Sequence, residues 1–174
     1  MTPDAGRMFV IAPLEKLHKR VDFDCGDPAL NAFLQRYARQ AASRYHSRTF
    51  VAVPQDAPAT IAGFYTLTIN EKRFEEAPKD YHVPPEGRVP VALLAQLAVD
   101  RRFQGHGLGE LLLIDSLRRC HQVADAAGCC AVEVVAINDR VIRFYEKYGF
   151  AAVDSREPHR LYISMTTVSK LFAD

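Results

Sequence analysis

The chain has 174 residues, 48% hydrophobic and 25% charged, so a single domain with its own apolar core is expected, without metal or disulfide support. Its formal net charge of +1 excludes a uniformly basic nucleic-acid binder, and any basic surface has to be local. The four cysteines (Cys25, Cys120, Cys129 and Cys130) include no C-x-x-C pair, which argues against a zinc or thioredoxin-type site and for small buried hydrophobes in a reducing compartment.

The first residues carry Asp4 and Arg7 and no apolar leader run, and no stretch reaches the length of a membrane span. A cytoplasmic protein away from membranes is expected. MFVIAPL (8–14) reads as a first strand. CGDPALNAFLQRYARQAASR (25–44) reads as an amphipathic helix, with Asp27 as its cap and Pro28 in its first turn. Leu30, Phe33, Leu34, Tyr37, Ala38 and Ala41 fall at helical spacing, which predicts one shared core face. TFVAVP (49–54) and ATIAGFYTLTI (59–69) read as an antiparallel pair across a Pro/Asp turn. Residues 70–89, polar and with three prolines, read as a mobile loop with a short helix near Glu71–Glu76. VPVALLAQLAV (89–99) is apolar almost throughout, which predicts a strand buried on both faces.

A second helix is expected over Leu108–Ala127, then a strand, CCAVEVVAI (129–137), whose adjacent cysteines would face opposite sides. Asn138 or Asp139 can cap a helix through Lys147, closed by Gly149. Phe150–Val153 and Arg160–Val168 read as two closing strands. The order is that of a mixed α/β sheet.

Residues 101–110, RRFQGHGLGE, place glycines at 105, 107 and 109 where a strand ends and a helix opens. The first amides of a helix lack internal acceptors and carry partial positive charge, and glycine leaves them uncovered. A phosphate or pyrophosphate cradled by Gln104–Glu110 is the physical expectation, with Arg101 and Arg102 flanking it. The spacing G-x-G-x-G is not the dinucleotide fingerprint G-x-G-x-x-G, and Gly109 is not followed by the Lys-Ser/Thr of a P-loop.

Arg102-Phe103-Gln104-Gly105-His106-Gly107 resembles the [QR]-x-x-G-x-[GA] pattern that marks the acetyl-CoA site of GNAT N-acetyltransferases. LAQLAVD before it and FYEKYGF (144–150) after it resemble the family's central strand and late helix. The resemblance implies a GNAT fold over residues 1–174, with two parallel central strands splayed apart and helices flanking the sheet. It implies acetyl-CoA as co-substrate and no metal. Backbone groups of Leu97, Ala98 and Val99 would hold the pantetheine arm, with Asn138 as a further contact. Arg102 and the amides of Gln104, Gly105, His106, Gly107, Leu108 and Gly109 would hold the pyrophosphate. Tyr145 falls where the family commonly carries a general-acid tyrosine. A phenol near pKa 10 protonates a thiolate of conjugate pKa near 8.5 at a cost of about 2 kcal/mol, compatible with catalysis. Glu133 and His106 are candidate bases, neither assigned, and Tyr148 is the competing tyrosine.

FDCGDPALNAFLQRYARQAASRYHSRTFVAV further resembles the matching segment of the tRNA-acetylating GNAT toxins of type II toxin–antitoxin systems. The implied acceptor is the α-amine of aminoacyl-tRNA. The implied partners are a ribbon-helix-helix antitoxin and a second copy of the chain. RYARQAASRYHSR (36–48) has four arginines and no acid, so Arg36, Arg39, Arg44 and Arg48 are candidate RNA contacts. With Tyr37 in the core, Tyr45 alone would be left for base stacking. Lys72, Arg73 and Arg88 add positive charge that Glu71, Glu75 and Glu76 oppose. The rival expectations are a GNAT enzyme acting on a small amine or protein N-terminus, and a catalytically silent coenzyme A binder.

Overall fold

The computed structural model describes residues 8–173, so Asp4 and Arg7 lie outside the described residues. Strands form where short apolar runs alternate with turns: β1 (Phe9–Pro13), β2 (Arg48–Pro54), β3 (Gly63–Arg73), β4 (Arg88–Val99), β5 (Ala131–Val135), β6 (Ala151–Asp154) and β7 (Glu157–Ser164). They order as β1-β2-β3-β4-β5-β7-β6 in a 7-stranded sheet. β1 with β2, β2 with β3, β5 with β7 and β6 with β7 are antiparallel. β4 and β5 are parallel, paired only from Ala92↔Val132 to Leu94↔Val134, while β4 runs on to Val99. A mixed sheet with helices, and parallel central strands whose pairing stops early, matches the expected fold class.

Contacts divide the chain into two compact units, one of residues up to Thr68 with Ala95–Ser116, the other of Ile69–Leu94 with residues from Leu117 on. The first is centred on Phe23, Leu34, Ala38, Val51, Ile61, Phe64 and Ala98, with the Phe23 and Phe64 rings edge to face at 5.3 Å. The second is centred on Tyr81, Val83, Val91 and Ala131.

Helix α1 begins as expected: the Asp27 carboxylate accepts from the amides of Ala29 and Leu30, and Pro28 is the first helical residue. It runs Pro28–Ala32, then a π turn Phe33–Tyr37, then Ala38–Ser43. The π turn corrects the expected core face. Leu34 and Ala38 are fully buried, but Tyr37 is 55% exposed, because the wider turn carries it off the apolar stripe. Cys25 and Gly26 precede the helix. Gly26 has φ of +93°, a left-handed backbone that calls for glycine, while a Cβ there would meet only the exposed Arg101 side chain at 3.0 Å.

Residues 70–89 are not the loose loop expected. β3 extends to Arg73, and 3-10 turns follow at Phe74–Glu76 and Lys79–Tyr81. The Tyr81 hydroxyl donates to Glu133 Oε1 (2.7 Å), and the Tyr162 hydroxyl donates to Asp80 Oδ2 (2.9 Å), which pins the segment. β4 is not buried on both faces either: Val91, Ala92, Leu94 and Ala98 are buried, Ala95 is exposed, and Leu97 and Val99 are half-buried.

α2 (Leu108–Ala127) has the expected bounds, and α3 (Asp139–Lys147) is capped by Asn138, whose Oδ1 accepts from Val141 N. The last strand stops at Ser164, short of Val168. The Ser164 hydroxyl accepts from Thr167 N and starts α4 (Met165–Leu171), with Val168 buried. A side-chain cap outweighs the strand preference of Thr166, Thr167 and Val168. Cys129 and Cys130 lie just before β5 rather than on it. All four cysteines are free thiols. Burial pushes each thiol up, Cys120 to about 12 and Cys130 to about 11, as inert packing residues require. Among the described residues no helix is long and apolar enough to cross a membrane, and no group of three or more His, Cys, Asp or Glu could hold a metal ion.

Candidate active site

The glycine turn lies in the first unit. β4 ends at Val99, and Asp100 starts a 3-10 turn over Arg101–Phe103. The first bond of α2 is Leu111 N–H to the Gly107 carbonyl (3.2 Å), which makes Gly107 the N-cap. The amides of Gly107, Leu108, Gly109 and Glu110 therefore precede the first turn with no acceptor inside the helix. Gly105 and Gly107 have φ of +83° and +79°, and nothing lies within 4 Å of a Cβ placed on either. The left-handed backbone demands glycine, and the space beside both glycines is open. That is the shape and polarity a diphosphate needs at the start of a 20-residue helix.

The turn is braced from beneath. Asp100 is fully buried. Its Oδ1 accepts from the Arg102 amide and Nε (both 2.9 Å), and its Oδ2 accepts from Arg102 Nη2 (3.2 Å) and the Asp24 amide (3.0 Å). Burial opposes ionisation of this carboxyl, but the Arg102 side chain and the two amides outweigh it and hold it below the usual carboxylate range. Arg102 thus spends two of its guanidinium nitrogens on Asp100. Gln104 Nε2 donates to the Val99 carbonyl (2.9 Å) and the Cys25 carbonyl (3.3 Å). The side chains of Arg102 and Gln104 set the turn, a role the sequence pattern did not reveal. His106 is exposed on the turn, while Leu108 is buried beneath it.

Tyr145 lies in the second unit, near the end of α3. Its carbonyl accepts from the amides of Tyr148 (3.0 Å) and Phe150 (3.3 Å), so the helix ending fixes its backbone. Its buried ring packs 5.2 Å from the rings of both Phe144 and Phe150. Burial pushes its phenol well above the ordinary tyrosine range. Tyr148 packs on Phe144, with the rings 5.4 Å apart. Asn138 gives its carbonyl oxygen to capping α3.

Glu133 is no free base. Its Oε1 accepts from Tyr81, its Oε2 lies 3.2 Å from Lys72 Nζ, and its side chain is buried. Burial first, then the Glu133 charge, keeps the Tyr81 hydroxyl protonated. Lys72 is thereby withdrawn from the basic surface expected of it, and Arg88 pairs with Glu71 at 3.4 Å. A polar cleft of about 510 Å³ in this unit is lined by Lys72, Glu75, Glu76 and Arg156 among others, and none of the expected site residues lines it.

Arg36, Arg39, Arg44 and Arg48 are all exposed in the first unit, and among the described residues none is paired with a carboxylate. Tyr37 and Tyr45 are exposed beside them in sequence.

The profile of the Acetyltransferase (GNAT) family matches residues 14–150. A protein described as a tRNA-acetylating toxin of Mycobacterium tuberculosis (strain ATCC 25618 / H37Rv) is 34% identical over 152 residues, covering 87% of this chain and 89% of the relative. The solved structure of AtaT complexed with acetyl-methionyl-tRNAfMet has a TM-score of 0.85 at 24% identity, covering 95% of this chain and 99% of that one. An AtaT mutant toxin bound to the C-terminus of the antitoxin AtaR and acetyl-CoA has a TM-score of 0.80 at 23% identity, covering 95% and 99%. Profile, relative and fold agree with the glycine turn that opens α2: this chain belongs to the GNAT family of acetyltransferases.

Proposed function

We propose that the protein is a toxin that transfers acetyl from acetyl-CoA to the α-amine of aminoacyl-tRNA and so blocks translation, acting as a single catalytic domain. The observation that carries the reading is the open, braced glycine turn at the start of α2, in a chain 34% identical to a tRNA-acetylating toxin. Acetyl-CoA supplies an activated acetyl thioester. The amides from Gln104 to Gly109, with Arg102, bind its pyrophosphate, and the backbone of Leu97, Ala98 and Val99, with Asn138, orients its pantetheine. Tyr145 donates its phenolic proton as the carbon–sulfur bond breaks and the carbon–nitrogen bond forms. No side-chain base is required, because an α-amine with a pKa near 8 is partly neutral at pH 7 and can lose its proton to water. Arg36, Arg39, Arg44 and Arg48 engage tRNA phosphates. The same reading puts the protein in the cytoplasm as a homodimer neutralised by a ribbon-helix-helix antitoxin.

Incubation with labelled acetyl-CoA and a panel of aminoacyl-tRNAs tests the assignment. Acetyl-aminoacyl-tRNA is the expected product. No product across the panel, with turnover of free amines instead, would show a small-amine GNAT. The cradle has its own test. Gly107→Ala puts an L side chain on a left-handed backbone, at a cost of about 1–2 kcal/mol that the unliganded turn sheds by leaving this conformation and that binding must restore. The Kd for coenzyme A by calorimetry should rise roughly 5–30-fold, and an unchanged Kd would remove the turn from the binding site.

A further inference from the structure

The end of α1 carries a tyrosine in a place made for glycine. The His46 amide donates to the Ala41 carbonyl (2.9 Å) and the Tyr45 amide to the Ala42 carbonyl (3.1 Å). This pair of bonds is a Schellman ending, in which the residue after the cap takes a left-handed backbone and glycine is the usual occupant. Tyr45 takes that position with φ of +58°. A bulky side chain there is a genuine outlier, and such strain persists where something else is gained. The gain is not packing, because Tyr45 is 84% exposed. Its ring instead meets the Arg48 guanidinium, 5.3 Å from the ring centroid. The π turn upstream exposes Tyr37 as well, and Arg36, Arg39 and Arg44 are open to water in the same acid-free segment.

We propose that Tyr45, backed by Arg48, is a stacking shelf for an unpaired base of the RNA substrate, while the neighbouring arginines hold phosphates. The proposal rests on the RNA-directed reading above. A flat ring held clear of the protein has a π face for any base, and a guanidinium beside it adds attraction for the stack and its phosphate. Duplex RNA hides its base faces, so the shelf favours single strands.

The test is fluorescence anisotropy with a labelled single-stranded RNA and a blunt RNA duplex of equal length, without acetyl-CoA. Tyr45→Gly should weaken single-strand binding by about fivefold or more and leave duplex binding unchanged. It should also raise Tm by about 2–4 °C as backbone strain is relieved. Tyr45→Phe should keep single-strand affinity within about twofold, because stacking needs the ring alone. A variant that is more stable yet binds less is a signature no purely structural tyrosine gives. Unchanged single-strand affinity in Tyr45→Gly overturns the shelf alone, as does a falling Tm or an equal loss on duplex. Wild type that binds neither RNA overturns the shelf and the substrate reading together.

Discussion

Tyr145→Phe should lower acetyl transfer by about 10²–10⁴-fold while leaving coenzyme A affinity and thermal stability near wild type. The ring stays where it is, between Phe144 and Phe150, and only the hydroxyl is removed. A purely packing role would leave the rate intact, so single-turnover acetylation of aminoacyl-tRNA decides between the two. The raised phenol pKa has a definite consequence for pH dependence. A general acid works in its protonated form, and raising the Tyr145 pKa keeps it protonated beyond the ordinary value of about 10. The wild-type rate should therefore climb with pH as the acceptor amine deprotonates near 8, with no falling limb below about pH 10. Burial also widens the gap between phenol and thiolate, which favours a hydrogen bond to the departing sulfur over full transfer ahead of bond cleavage. A falling limb near pH 8.5 would contradict this assignment.

Lys72→Met should destabilise the fold by about 3–5 kcal/mol, the usual cost of leaving a buried charge without its partner. Glu133 stands on the central strand β5 with the Lys72 ammonium 3.2 Å away, and both side chains are nearly shielded from water. The Tyr81 hydroxyl is one donor and cannot replace a charge. Urea unfolding of wild type, Lys72→Met and the double variant Lys72→Met/Glu133→Leu forms the test. The double variant should recover much of the loss, since replacing a buried pair with apolar groups is often neutral. A single variant as stable as wild type would mean that water compensates the carboxylate.

Local patterns with a direct physical meaning were legible from residues alone. The Asp27 cap, the span of α2, the Asn138 cap and the left-handed Gly149 each follow from one or two side chains and the backbone rule they obey. The glycine turn was legible for the same reason. Features that depend on distant partners were not. The π turn in α1 obeys no helical period, so Tyr37 was misplaced. The anchoring of Tyr81 depends on Glu133, far along the chain, and a proline-rich stretch gives no sign of it. Lys72 reads as a surface cation until its partner is known. The bracing of the turn by Asp100 and Gln104 was hidden too, because both look like ordinary polar residues beside the alternating glycines.

Asp100 makes the loop before α1 and the glycine turn before α2 a single mechanical part. One water-free carboxylate latches the Asp24 amide on one oxygen and the Arg102 amide on the other, and Arg101 N–H reaches the Asp24 carbonyl at 2.8 Å. Because its acidity is strengthened, the latch stays closed at neutral pH and gives way only as pH falls below the ordinary carboxylate range near 3.9. Drift in the Cys25–Gly26 loop is therefore constrained by the glycine turn, however far that loop lies from it in sequence.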